Sequence, residues 1–296
     1  MTSSFLGDEL GPRGRRMTRI VSAISAVLLA AFLFVVLTRL GDKGQLDEAK
    51  WRPFTQWLVI KFFLEGLRFT VQLALVSMVG AMAIGTVMAL ARLARTRLVR
   101  WVATAYVEFF RGIPLVLLIF FCALGLPAYG VRLSLFWYVA LGLIVYNSSV
   151  LGEIFRAGIL SLDRGQTEAA YSLGMGYWQT MGLVVIPQAA RRMIPAIVSQ
   201  LVTLLKDTSL GSAIAFEELL RRAQINGEFF NNRLQSLVVA ALMYIVVNFA
   251  LSRLARRLEV RQRRKYKAGA IVVQGGGMDL AVMGAQAGAA VGGGTI

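Results

Sequence analysis

Long apolar blocks without a single charge dominate this chain: Ile20–Thr38, Phe69–Ala91, Gly112–Val131, Leu133–Gly152 and Leu234–Ser252. A sixth block, Met193–Phe216, is interrupted only by Lys206 and Asp207. A helix needs about 20 largely apolar residues, at ~1.5 Å rise each, to cross a hydrocarbon core. Strands of a membrane barrel would be shorter and would alternate apolar with polar residues, and no such alternation is present. The blocks therefore predict an all-α integral membrane protein with about six transmembrane helices. At 57% hydrophobic residues, 16% charged residues and a mean hydropathy of +0.64, the chain is also too poor in charge for a water-soluble domain of this length.

The net charge of +16 fits a nucleic-acid binder as well as a membrane protein. Its distribution decides between them, because the cations collect beside the apolar blocks. Arg13, Arg15, Arg16 and Arg19 precede the first block, and Arg92, Arg95, Arg97 and Arg100 follow the second. Arg156, Arg164, Arg191 and Arg192 bracket the stretch after the fourth, and eight cations fill Arg253–Lys267 after the last. Basic flanks mark cytoplasmic ends, so six crossings place both termini in the cytoplasm of a multi-pass cell-membrane protein, with no nucleic-acid partner. The first block is too long for a signal peptide and lacks a small-residue cleavage pattern, so it reads as a retained helix.

Catalytic constellations are missing. There is no histidine, and Cys122 is the single cysteine. That removes His-based metal sites and the usual general base, and a bridge within the chain is impossible. No phosphate-cradling G-x-x-x-x-G-K-[ST] loop and no nucleophile elbow occurs. The expectation is no catalytic residue, no bound metal and no cofactor on this chain.

Residues 161–192 stand out among the connections. Most helix–helix loops are far shorter. In this stretch, Thr167 can cap a short helix that Glu168 favours electrostatically, and Gly174 can stop it. A second run from Tyr177 ends where Pro187 should break the helix. Two short helices around a glycine joint would make a cytoplasmic knob whose paired alanines let another surface approach; the alternative is an ordinary surface loop.

At this segment the chain resembles the permease subunits of ATP-binding-cassette (ABC) importers. Their E-A-A, three residues, G, nine residues, I-x-L-P pattern is matched by Glu168-Ala169-Ala170, Gly174 and Val184-Val185-Ile186-Pro187. Glu108-Phe109-Phe110-Arg111-Gly112-Ile113-Pro114, Glu153-Ile154-Phe155-Arg156-Ala157-Gly158-Ile159, Pro187-Gln188-Ala189 and Leu205-Lys206-Asp207-Thr208-Ser209-Leu210 narrow the likeness to permeases for polar amino acids. The basic arm and extra first helix look like actinobacterial glutamate-importer permeases. The resemblance covers roughly residues 60–262 and implies the type I importer fold, with Gly165, Glu168, Ala169, Ala170, Gly174 and Pro187 in a coupling helix. It also implies two copies of a separate ATPase carrying ATP and Mg, a second and homologous permease chain, and an extracellular substrate-binding protein.

Charges within or beside the apolar blocks are costly unless paired or wet. Glu108 and Arg111, like Glu153 and Arg156, are three apart and can pair on one helix face as structural ion pairs. Lys206 and Asp207 are neighbours and point apart. With Thr208 and Ser209, and with Asn147 and Ser148, they can line a path for a zwitterion; the alternative is polar glue between helices. The rival function is a stand-alone, ion-coupled secondary amino-acid transporter. It leaves the knob unexplained, and no internal repeat supports it. The chain divides into a basic arm (1–19), an extra helix (20–38), an outer segment (39–65), a permease domain (66–262) with its coupling loop (161–192), and a Gly/Ala-rich tail (263–296) expected to be disordered.

Overall fold

The computed structural model describes residues 11–254, 256 and 257. The tail over 263–296, the basic stretch beyond 257 and the first ten residues of the arm lie outside the described residues. Within them the chain is helical, and no strand forms. The helices are α1 (Pro12–Asp42), α2 (Trp57–Arg92), α3 (Arg97–Gly112), α4 (Leu115–Ala128), α5 (Leu135–Leu160), α6 (Arg164–Ser172), α7 (Tyr177–Ile214), α8 (Leu219–Phe229) and α9 (Arg233–Leu254). Five of these (α1, α2, α5, α7 and α9) are long and apolar enough to cross a membrane, and α3 with α4 makes a sixth span if that bent pair is one crossing.

Several boundaries differ from the sequence reading. Pro12 is well placed in a first helical turn, where its missing N–H costs nothing, so α1 starts within the expected arm and runs to Asp42. The outer segment expected to 65 gives way to α2 at Trp57. The span expected from Gly112 begins only at Leu115. Ile113 is held extended by Pro114, as a residue before proline must be, which ends α3 and turns the chain by 101° into α4.

Two compact units are present, residues 1–61 with 224–238 and residues 62–223 with 239–296. In the first, a polar network takes the place of an apolar core. Asn226 Nδ2 donates to Ser236 Oγ at 2.9 Å, Ser236 Oγ donates to Asn232 Oδ1 at 2.9 Å, and Asn232 Nδ2 donates to the Lys50 carbonyl at 3.0 Å. α1 buries none of its most apolar stretch. A helix apolar all round and uncovered is suited to lipid.

The second unit is built around α5. Its buried residues Val139, Ala140 and Leu143 pack with Leu73, Ile119 and Phe216, while Leu151 and Phe155 pack with Ala74, Met78, Ala81, Ala189, Met193 and Leu204. Helices in lipid associate by close packing and polar contacts, not by escape from water. The α2–α5 crossing shows it: a Cβ on Gly85 would lie 3.0 Å from the Ser148 carbonyl and 3.1 Å from the Gly152 amide.

Wide π turns precede two prolines. Phe121–Gly125 is followed by Leu126-Pro127, and Met181–Val185 by Ile186-Pro187. Proline lacks an N–H and its ring crowds the carbonyl four residues back; that residue, Ala123 or Leu183, lies inside the wide turn each time. The widened register absorbs the proline. The helix expected to break at Ile186 therefore continues to Asp207.

Replacing Gly85 by valine should cost roughly 1–3 kcal/mol by overfilling the crossing and lower the thermal midpoint of the detergent-purified chain. Gly112→Ala, where the added carbon meets nothing within 4 Å, should leave the midpoint within a degree or two.

Candidate functional site

α6 is a short, well-terminated helix. Asp163 caps it, its Oδ1 accepting from the Gly165 amide at 2.9 Å. The cap lies four residues before Thr167, the expected one, because Arg164 and Gly165 already belong to the first turn. At the other end the Gly174 amide donates to the Tyr171 carbonyl at 2.9 Å and the Met175 amide to the Ala170 carbonyl at 3.2 Å. This is a Schellman closure, with Gly174 in the left-handed conformation at φ 79°. A Cβ at Gly174 meets nothing within 4 Å, so within this chain glycine answers to backbone conformation, not to crowding.

The expected coupling residues separate into two faces. Glu168, Ala169, Gly165, Gly174 and Pro187 are exposed, whereas Ala170 is buried against the chain itself. The alanine pair thus presents one residue outward. Leu173 (82% exposed) and Trp178 (79%) flank that surface. α7 holds α6 and the stretch before it: Gln188 Nε2 donates to Gln166 Oε1 at 3.2 Å, and Arg192 Nη1 donates to the carbonyl of Ser161, at the end of α5, at 2.7 Å.

The charged residues pair across helices as well as along them. Glu153 accepts from Arg92 at the end of α2, lies 3.3 Å from Arg156 and reaches Arg111 at the end of α3 at 4.0 Å. The Glu153–Arg156 pair forms as its spacing allows. Arg111 turns to Glu153 instead of Glu108, which sits exposed on α3. Glu153 lies in the last third of α5 and is only partly exposed, so solvent screens its attraction for Arg111 less than it screens that of exposed Glu108.

The two polar clusters are not joined by any hydrogen bond among the described residues. Asn147 is fully buried; it donates to the Leu143 carbonyl at 2.8 Å and accepts from Gln200 Nε2 at 2.7 Å, linking α5 to α7. Ser148 donates to the Val145 carbonyl and shares a 2.8 Å bond with the Tyr106 hydroxyl of α3. Thr208 and Ser209 return their hydroxyls to the Leu205 and Lys206 carbonyls. Lys206 is exposed and Asp207 half-buried.

A further cluster gathers at the start of α8, around Glu218 and Arg222. Arg222 is buried; it donates to Glu65 at 2.8 Å and to the Phe62 carbonyl at 3.0 Å, and it stacks over the Phe62 ring. Glu218, fully buried, accepts from the Tyr244 hydroxyl at 2.6 Å and from the Leu220 and Arg221 amides. Glu65, the partner of Arg222, and Tyr244, the partner of Glu218, are distant in sequence, which is why spacing could not find them.

With this geometry in place, comparison with known proteins is decisive at the level of family. Residues 81–264 match the model of the binding-protein-dependent transport system inner membrane component. The chain is 40% identical over 235 residues to the glutamate transport system permease protein GluD of Corynebacterium glutamicum, covering 77% of this chain and 85% of the relative. It is 41% identical over 209 residues to the probable glutamine ABC transporter permease protein GlnP of Bacillus subtilis, covering 69% and 94%. Among solved structures, a crystal structure of an amino acid ABC transporter with histidines superposes with a TM-score of 0.65 at 31% identity, over 68% of this chain and 94% of that one. The chain belongs to the family of inner-membrane components of binding-protein-dependent transport systems, and within it to the amino-acid ABC transporter permeases.

Burial pushes the Glu218 carboxyl above the usual carboxylate range, against the opposing pull of its hydrogen-bond donors. Between the ordinary value and the raised one the folded chain holds a proton that the unfolded chain has lost. That contribution to stability is complete below the unfolded value and is lost as pH rises through the folded one. Glu218→Gln should flatten this slope, read as the thermal midpoint of the purified chain from about pH 4 to 8.

Proposed function

We propose that this permease imports glutamate, and that α6 couples the membrane helices to a separate ATPase. The observation that carries the reading is α6 itself: a glycine-closed helix, tied to α7 through Gln166, that offers Ala169, Leu173 and Glu168 outward. In this reading the chain is a transport subunit and not an enzyme. Two copies of the ATPase hold ATP and Mg, a second and homologous permease chain completes the path, and an extracellular protein delivers the amino acid. Both termini lie in the cytoplasm, as the basic flanks favour. Glutamate is supported by the 40% identity to the Corynebacterium glutamicum permease over the greater part of both chains. Along the path, Lys206 and Asp207 are the charged groups of α7 available to a zwitterion, with Thr208 and Ser209 shaping the backbone there. Asn147 and Ser148 contribute by holding α3, α5 and α7 together.

Asn and Asp are nearly equal in size, and both enter the left-handed region more readily than other residues with a Cβ. Gly174→Asn should therefore keep most of the uptake and of the substrate-stimulated ATP hydrolysis in proteoliposomes containing the partner chains. Gly174→Asp, with a charge at the docking surface, should lose both about tenfold or more at unchanged abundance. Glutamate should outcompete glutamine and arginine. An ion gradient without ATP should drive nothing; uptake by this chain alone on such a gradient would establish the secondary-transporter reading instead.

A further inference from the structure

A cleft of about 440 Å³ opens between the α2–α3 turn and the beginning of α7, lined by Leu90, Arg95, Tyr177, Trp178, Met181 and Ile186 among others. Its wall is apolar and its rim is cationic. The Arg95 guanidinium lies over the Tyr177 ring, 5.4 Å from its centroid, and Arg100 folds back so that its Nη1 reaches the carbonyl of Ala94, another lining residue, at 3.5 Å. Neither arginine faces a carboxylate among the described residues. Thr96, also at the cleft, precedes α3 without capping it through its side chain, so the first-turn amides of that helix remain open.

The position of α3 sets the depth of the cleft. Its residues form three stripes: Ala103 and Val107 are buried against the chain, Arg97, Arg100, Glu108 and Arg111 carry charge, and Leu98, Trp101, Val102 and Phe109 are exposed and apolar. A helix with an exposed apolar stripe beside a charged one lies in the plane of the headgroups. On that placement the cleft at its N-terminal end lies at headgroup level.

We propose that this cleft binds one anionic phospholipid of the inner leaflet, its phosphate on Arg95 and Arg100 and the upper part of an acyl chain along Leu90, Met181 and Ile186. The side assignment rests on the cytoplasmic placement of the basic flanks given above. A free phosphate would satisfy the rim but leave the apolar wall unfilled, and a zwitterionic lipid would bring a cation against the two arginines. The bound lipid touches the π turn at Met181–Val185, the root of the coupling segment.

The test reads lipid contact and is independent of transport. The full chain is reconstituted in phosphatidylcholine vesicles with rising fractions of brominated phosphatidylglycerol or brominated phosphatidylcholine. Quenching at Trp178 is taken as the difference from a Trp178→Phe chain. Each arginine near anionic lipid contributes about a fivefold preference, so half-quenching should occur at a mole fraction of the anionic lipid at least tenfold lower. Arg95→Gln with Arg100→Gln should bring the two lipids to parity. Gly182 also lines the cleft, and a Cβ there meets nothing within 4 Å; Gly182→Leu should fill the space and weaken quenching by both lipids with the charges intact. Equal quenching by the two lipids in the unmodified chain overturns the proposal. So does an unchanged preference in the double arginine variant, or relief of quenching by inorganic phosphate at tens of millimolar. None of these outcomes depends on whether α6 engages an ATPase.

Discussion

Hydrocarbon offers a buried polar group no partner, and that constraint organises the second unit. Polar side chains inside it turn to carbonyls of their own helix or to polar groups on a neighbouring one, and the closest crossing is made by small residues. Both demands meet on α5. Gly152 lets α2 approach at Gly85, Asn147 holds α7 through Gln200, Ser148 holds α3 through Tyr106, and Glu153 gathers arginines from the ends of α2 and α3. Two turns of one helix thus fix three neighbours. The same rule explains why these polar residues are poor evidence for a substrate path: their hydrogen bonds are already spent on architecture.

Four of the six prolines show how differently the same residue is handled along the chain. At Pro114 the preceding residue is extended and the chain turns sharply. At Pro127 and Pro187 a wide turn takes up the missing donor; the helix ends at Ala128 after the first and runs on to Asp207 after the second. At Pro12 the residue sits in the first turn and costs nothing. Composition is the same in all cases. What differs is whether the helix ahead has enough apolar length to repay continuation: α7 does, and a sequence rule that ends helices at proline misses it.

The membrane class, the spans and the glycine closure of α6 were legible because each rests on local pattern: unbroken apolar length, basic flanks, and a residue tolerant of positive φ. The exact helix starts were not, since caps such as Asp163 compete with Thr167 at the same level of plausibility. Ion-pair partners were legible only where both members share a helix. Glu153–Arg156 was found by spacing, whereas Arg111 was assigned to Glu108 because a contact between α3 and α5 leaves no trace in spacing. The buried pairs of Glu218 with Tyr244 and of Arg222 with Glu65 are invisible for the same reason.

The ties of α7 to α6 and to the end of α5 have a mechanical consequence. Because Ser161 ties the end of α5 to Arg192, and Gln166 ties α6 to Gln188, any displacement of α6 becomes a torque on two helices at once. α5 has 26 residues, about 39 Å at 1.5 Å per residue. A tilt of about 5° at its foot moves its far end by roughly 3 Å, more than half the rise of a helical turn. Under the proposed coupling the short helix would serve as the handle of a pair of long levers, delivering a small stroke at one face of the membrane, enlarged, to the other.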